Sequence, residues 1–232
     1  NVVGTLPGRR AEYVVICGHF DSANNTCPGA DDNGSGTSAV MEAARILRGL
    51  QFEYTIKFIA FGGEEQGMKG SQQYMTAHPS DSIRAAINCD MIMWDGDTDR
   101  VLQIHAIANA GTQYSEDLAD FIIWTNTTYT LPNVCSMWKP GITASDHSSF
   151  WNTGRSAVLL IEEYASDFNP WYHTGNDSWT NMNTPGAQAM FRNATKLTVA
   201  SAIHLAQLVQ PTPVTLASFT AVAEGRAALL RW

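Results

Sequence analysis

The paired carboxylates Glu64-Glu65, which follow Gly62-Gly63, are the strongest chemical signal in this chain. The preceding stretch Thr55-Ile56-Lys57-Phe58-Ile59-Ala60-Phe61 is apolar and rich in aromatic and β-branched residues, the composition of a buried strand. Two like charges leaving such a strand together repel each other and resist burial, so something must compensate them. A metal ion that holds one carboxylate while the other acts as a base would do so.

Four further segments carry matching chemistry. Gly18-His19-Phe20-Asp21-Ser22 follows the apolar run Tyr13-Val14-Val15-Ile16-Cys17, and Pro28-Gly29-Ala30-Asp31-Asp32-Asn33-Gly34-Ser35-Gly36 leads into a helical pattern. Ile87-Asn88-Cys89-Asp90-Met91 closes another strand, and Trp171-Tyr172-His173-Thr174-Gly175-Asn176-Asp177 precedes the last long helix. Each ionisable group stands where a strand ends or a loop begins, and ligands of open α/β sheets bind at the carboxyl ends of strands. Singly, each has a plainer reading. A lone His after a strand is more often a hydrogen-bonded structural residue, and Asp31 or Asp32 would serve equally as a helix N-cap. Together, two His and several carboxylates form a nitrogen and oxygen donor set suited to zinc or a similar divalent ion.

With Gly63-Glu64-Glu65-Gln66-Gly67, Gly70-Ser71 and Ser145-Asp146-His147 added, these motifs resemble the bacterial leucyl aminopeptidase family. These are dizinc exopeptidases related to aminopeptidase Y and glutamate carboxypeptidase II. The motifs run in family order from residue 13 to residue 177, and every metal-binding position of the family is filled. The resemblance implies that His19 and Asp90 hold one zinc, Glu65 and His173 the other, and that Asp32 bridges them. It makes Glu64 the general acid/base. It has Asp21 orient His19 through the second ring nitrogen, and gives Asp146 and His147 a supporting role. Met91, Ile161, Phe168 and Tyr172 fall where the family's pocket for the substrate's first side chain would be; core packing is the equal alternative. Glu162-Glu163 is a further candidate for receiving a basic side chain or the α-amine.

Peptide hydrolysis needs a strong nucleophile, a stabilised oxyanion and a proton for the leaving amine. A water bridging two zinc ions meets the first need, since one zinc alone lowers its pKa to roughly 7. Glu64 can then take that proton and return it to the departing nitrogen. Two Zn²⁺ are balanced by Asp32, Glu65, Asp90 and one hydroxide, which leaves Glu64 as a net negative charge for the substrate's free α-amine. The expected activity is that of an aminopeptidase acting on peptides with a free amino terminus. A carboxypeptidase or another amidohydrolase on the same frame remains an alternative, followed by glutaminyl cyclisation and a catalytically silent binding module. No Ser stands at a recognisable nucleophile elbow, which argues against a Ser–His–Asp triad.

The elements that must position these groups alternate. Strands are expected at about 12–17, 54–61, 84–90, 100–107 and 157–161, and helices at about 35–49, 68–78, 112–124 and 185–208. Such alternation implies a three-layer α/β/α sandwich on a central mixed, largely parallel sheet, which is also the fold the resemblance implies. Residues 1–208 would form the catalytic domain and 209–213 a linker. Residues 214–232 would begin a truncated β-rich module or supply docked strands.

The chain of 232 residues is long enough for one sizeable core. Its net charge of −8 argues against nucleic acid or an anionic membrane as partner, and no apolar run is long enough to span a membrane. No signal peptide precedes Asn1, so the chain is expected to be a mature or excised piece of a secreted, extracellular or periplasmic protein, and a monomer. Cys17 and Cys89 lie in apolar strands as expected buried thiols, whereas Cys27 and Cys135 fall in expected loops, where their pairing stays open. Asn24 and Asn126 match glycosylation acceptors. His78, His105 and His204 have no ligand-like context and are read as structural.

Overall fold

In strand β2 (Arg10–His19) the side chains alternate between two buried faces: Val14 and Ile16 join one core, while Tyr13, Val15 and Cys17 join another. A strand buried on both sides belongs at the centre of a covered parallel sheet. The computed structural model describes residues 1–209 with their side chains, and the backbone of residues 220–224 and 227–231. Its main sheet has seven strands in the order β1-β3-β2-β4-β7-β5-β6. The remaining members are β1 (Val2–Leu6), β3 (Tyr54–Phe61), β4 (Ile83–Cys89), β5 (Val101–His105), β6 (Val134–Trp138) and β7 (Ala157–Glu162). Strands β3, β2, β4 and β7 run parallel. Strand β1 is antiparallel at one edge, and the parallel pair β5–β6 runs against β7 at the other.

Helices α1 (Gly34–Leu47), α3 (Ser115–Thr128) and α6 (Pro185–Leu205) cover one face. Helices α2 (Lys69–Ala77) and α4 (His147–Trp151) cover the other, where Tyr74, Met75, Phe150 and Trp151 pack on Tyr13, Val15 and Cys17. The three-layer architecture on a mixed sheet is the one expected. A short α5 (Trp179–Met182) precedes α6. Strands β8 (Thr220–Glu224) and β9 (Ala227–Arg231) pair antiparallel with each other. Most of the expected linker at 209–213 lies outside the described residues, as do residues 214–219 of the expected strand.

The strand-like start of the chain is an edge strand of the main sheet, with Val2 paired to Ala60. Other elements differ from expectation. Strand β6, which the sequence pattern does not reveal, is the opposite edge: Cys135 and Met137 turn to the core, but the exposed positions carry Val134 and Trp138 beside Ser136, so no apolar–polar alternation marks it. Cys135 therefore lies in an edge strand rather than in the expected loop. Cys27 and Cys135 are free thiols, as are Cys17 and Cys89.

The chain passes from β2 through α1 to β3, then back across β2 to β4. The carboxyl ends of β2 and β4 thus open a crevice of the kind that binds ligands in α/β sheets. Two glycines let α1 begin right against this crevice. A Cβ on Gly36 would stand 2.0 Å from the Cys89 carbonyl oxygen, and one on Gly18 would stand 2.7 Å from it. The N-cap of α1 is Asn33, not Asp31 or Asp32. Asn33 accepts from the Gly36 amide at 2.8 Å and donates to the Cys89 carbonyl at 2.9 Å, a double role that no carboxylate can fill.

Candidate metal centre and its recess

His19 ends β2, Asp90 follows β4, Asp32 precedes α1, Glu64 and Glu65 follow β3, and His173 lies in the loop before α5. The fold brings all six together. His19 Nε2 lies 3.3 Å from Asp32 Oδ1, 3.3 Å from Asp90 Oδ1 and 3.9 Å from Glu64 Oε2. His173 Nε2 lies 3.1 Å from Asp32 Oδ2 and 3.1 Å from Glu65 Oε2. The two oxygens of Asp32 therefore face two different trios, His19/Asp32/Asp90 and Asp32/Glu65/His173.

The surroundings hold these groups in place. The Asp31 and Asp32 amides donate to the two oxygens of Asp177, both at 3.0 Å, pinning the loop that carries Asp32. Ser145 donates to Asp90 Oδ2 at 2.6 Å and accepts from Asn88 Nδ2 at 2.7 Å. Asp21 has a divided role. Its main-chain carbonyl lies 3.0 Å from His19 Nδ1, while its carboxylate is 3.7 Å from that nitrogen and accepts the Glu64 and Glu65 amides at 3.2 and 3.1 Å. The expected orientation of His19 thus comes from the backbone, because the carboxylate is engaged by the Glu pair. With Nδ1–H donated to a carbonyl, the Nε2 side of His19 is turned to the acidic cluster, where a cation would take its lone pair.

The electrostatics demand positive charge here. Burial works against a charged His19, yet Asp90, Asp21 and Asp32 outweigh it and raise its pKa far above the usual imidazole range. Burial, and then the Asp90 charge, push Glu64 up to about 8. Burial and Asp32 push Glu65 up to about 7. Burial also acts to raise Asp21, but the His19 ring and the two amides bring it down to about 2. Asp32 Oδ2, Glu65 Oε1 and Asp90 Oδ1 are buried oxygens without a hydrogen-bond donor. Such oxygens are rare unless something else satisfies them. A divalent cation in each trio would supply the missing partner, and imidazole and carboxylate donors fit zinc.

Beside the acidic cluster opens a recess lined by Met91, Ile161, Phe168 and Tyr172, the four residues expected there. Leu159, Ile142 and Tyr164, which sequence reasoning missed, complete it. Leu159 was masked by a uniformly apolar strand, and Ile142 and Tyr164 stand in loops with no periodicity. Tyr164, Phe168, Tyr172 and His173 form a ladder of rings with centroids 5.3, 5.1 and 3.7 Å apart.

Neither residue of the Glu162-Glu163 pair lines this recess. Glu162 is fully buried and accepts the Trp94 and Asn169 amides at 3.0 and 2.8 Å, so it has no face for a substrate. Asp146 and His147 are also buried. Neither oxygen of Asp146 has a hydrogen-bond donor, and burial together with Asp90 pushes it up to about 7. His147 Nε2 donates to the Ile142 carbonyl at 2.9 Å. Among the described residues, no helix is long and apolar enough to cross a membrane.

Residues 1–198 match the model of Peptidase family M28. A probable leucine aminopeptidase of Arthroderma otae is 30% identical over 197 residues, covering 79% of this chain and 52% of that protein. The crystal structure of the Legionella pneumophila LapA aminopeptidase superposes with a TM-score of 0.76 at 28% identity, over 90% of this chain and 55% of that one. A zinc aminopeptidase from Bacillus subtilis shares the fold, with a TM-score of 0.75 at 24% identity over 89% of this chain and 52% of that one. The chain spans about half the length of these relatives. By its match over residues 1–198, it belongs to Peptidase family M28.

Proposed function

We propose that residues 1–208 are the catalytic domain of a zinc-dependent aminopeptidase that releases single residues from peptides with a free amino terminus. The observation that carries this reading is Asp32, whose two oxygens each face a separate trio of donors, with Glu64 3.9 Å from His19. His19 and Asp90 would hold one Zn²⁺, Glu65 and His173 the other, and Asp32 would be shared. Two bound zinc ions would supply polarisation of the scissile carbonyl and a more acidic attacking water.

The remaining work falls to side chains of this chain. Glu64 takes the proton from the attacking water and returns it to the leaving nitrogen. The two amides donated to Asp21 fix where Glu64 stands. Its negative charge also suits the substrate's α-ammonium group. Met91, Ile161, Phe168 and Tyr172 form an apolar recess suited to a large aliphatic or aromatic first side chain.

Hydrolysis of leucyl, lysyl and glutamyl anilides, each beside its N-acetylated form, tests the reading before and after chelation and zinc re-addition. Cleavage of the free leucyl anilide alone, lost on chelation and restored by zinc, is expected. Cleavage of acetylated substrates would overturn the aminopeptidase assignment. So would inactivity of a protein carrying two metal ions, which would favour carboxypeptidase or cyclase chemistry.

A further inference from the structure

Strand β5 buries two polar side chains, Gln103 and His105, beside the floor of the recess. The antiparallel register sets Gln103 opposite Ile161 and His105 opposite Leu159, and directly opposed residues share a face of the sheet. Gln103 and His105 do not themselves line the recess. Buried polar groups must find partners, and theirs lie in the two loops that flank it.

The Ile142 amide donates to His105 Nδ1 at 3.2 Å. An imidazole nitrogen that accepts an N–H carries no proton, so the ring hydrogen sits on Nε2 and is donated to Gln103 Oε1 at 3.0 Å. The same Gln103 oxygen accepts the Tyr164 amide at 3.3 Å. From the other side, His147 Nε2 donates to the Ile142 carbonyl at 2.9 Å. Ile142 is thus held at both its N–H and its C=O by two buried histidines. The loop lies directly on the end of β5: Gly141 donates to the Ala106 carbonyl at 2.7 Å, and a Cβ on Gly141 would stand 2.9 Å from His105 Cβ. The rings are themselves packed. His105 stacks on Trp138 with centroids 5.6 Å apart, and His147 meets Trp151 edge-on at 4.4 Å.

We infer that Gln103, His105 and His147 form a clamp that fixes Ile142 and Tyr164, two residues that line the recess from separate loops, and thereby sets which first side chains the enzyme accepts. They are positioning residues, and their role in selectivity rests on the aminopeptidase reading above. A purely stabilising polar pair would act on every substrate alike. A clamp acts on the difference between substrates.

The test uses the zinc-loaded protein with His105→Phe, His105→Asn and Gln103→Met. The readouts are kcat and KM for leucyl and alanyl anilides, metal content, and amide exchange of the 139–145 segment. In His105→Phe the leucyl-to-alanyl ratio of kcat/KM should fall about tenfold, the scale of discrimination that apolar pockets achieve. The fall should come through the leucyl KM, with two metals retained and faster exchange at 139–145. Asn can present an oxygen near the position of Nδ1, so His105→Asn should restore most of the ratio. Gln103→Met, which removes the acceptor for Tyr164, should lower the ratio through the other loop and keeps the test decisive where His105→Phe does not fold. A parallel loss for both substrates, or an unchanged exchange pattern, overturns the clamp. Where the wild type cleaves neither anilide, the aminopeptidase reading fails by itself. Exchange, with calorimetric binding of leucinamide against alaninamide, then decides the clamp: a selectivity unaltered in His105→Phe and Gln103→Met overturns it.

Discussion

The two trios that share Asp32 are built differently. His19, Asp32 and Asp90 are all buried, and His19 and Asp90 stand at the ends of adjacent central strands. In the second trio, Glu65 and His173 both come from loops, and the His173 side chain is 39% exposed against 1% for His19. His173 also has a left-handed backbone with φ of 59°, a conformation uncommon outside glycine. The first trio is prepared by the sheet itself, while the second depends on a half-exposed loop residue. Removal and exchange of metal should therefore begin at the second.

The largest expected effect comes from the residue common to both. Asp32→Ala should lower metal content in both trios and abolish peptidase activity, read by metal analysis of the purified protein beside anilide hydrolysis. Retention of two tightly bound ions would break the idea of a shared ligand. Glu64→Gln separates holding the ions from using them. Activity should fall about 10²- to 10⁴-fold, the usual contribution of a general acid/base, with metal content unchanged. Substantial turnover with both ions bound would remove Glu64 from its role.

The asymmetry itself is tested by paired substitutions. His173→Ala should leave one ion bound after dialysis, held by His19, Asp32 and Asp90. His19→Ala opens the buried trio and should also lower thermal stability, because Asp32 and Asp90 then stand side by side in the interior without a counter-charge. Equal metal loss and equal melting temperatures in the two variants would show that burial does not distinguish the sites.

The same contrast explains what the sequence could reveal. Strands β2, β3, β4 and β7 announce themselves because burial on both faces leaves largely apolar runs, broken only by single polar residues such as Lys57 and Asn88. Edge strand β6 and the five-residue α4 do not, since neither is long or regular enough to set a period. The acidic and histidine residues were visible as short motifs at strand ends, and the fold brings those residues to one place. Which groups their supports hold was not visible, although Ser145 and Asp177 stand in the quoted motifs. Ser145 reaches Asp90 across 55 residues of sequence, and Asp177 reaches Asp32 across 145. A local pattern holds no record of such contacts. Asp21 is the instructive intermediate: its type and position pointed to His19, and only the folded loop shows its carboxylate turned to the Glu pair.

The smallest effect concerns pH, and it turns on the charge that the site lacks without cations. Asp31, buried near Glu162 and Asp177, is pushed up to about 7, first by burial. Asp146 is pushed up to about 7 in the same way, and Glu64 to about 8. A carboxyl whose pKa is raised by folding binds its proton more tightly in the native state. Its stabilising contribution is complete below the unfolded value of about 4 and is lost as pH climbs through the folded value. His105 and His147, lowered to about 4 by burial, act in the opposite sense, but only below the ordinary imidazole range. Between pH 6.5 and 8.5 the carboxyls therefore dominate, and His19, raised by its acidic neighbours, adds to the same trend. Chelator-treated protein should show a urea midpoint lower by about 0.5–1 M at pH 8.5 than at pH 6.5. Metal-loaded protein should lose this slope or reverse it, because cations favour the ionised ligands and compete with protons for them. Asp146→Asn should flatten the slope of the metal-free protein while leaving that of the loaded form nearly unchanged. A metal-free protein that gains stability across this interval would show that the buried carboxyls are already ionised and compensated by something other than a bound cation.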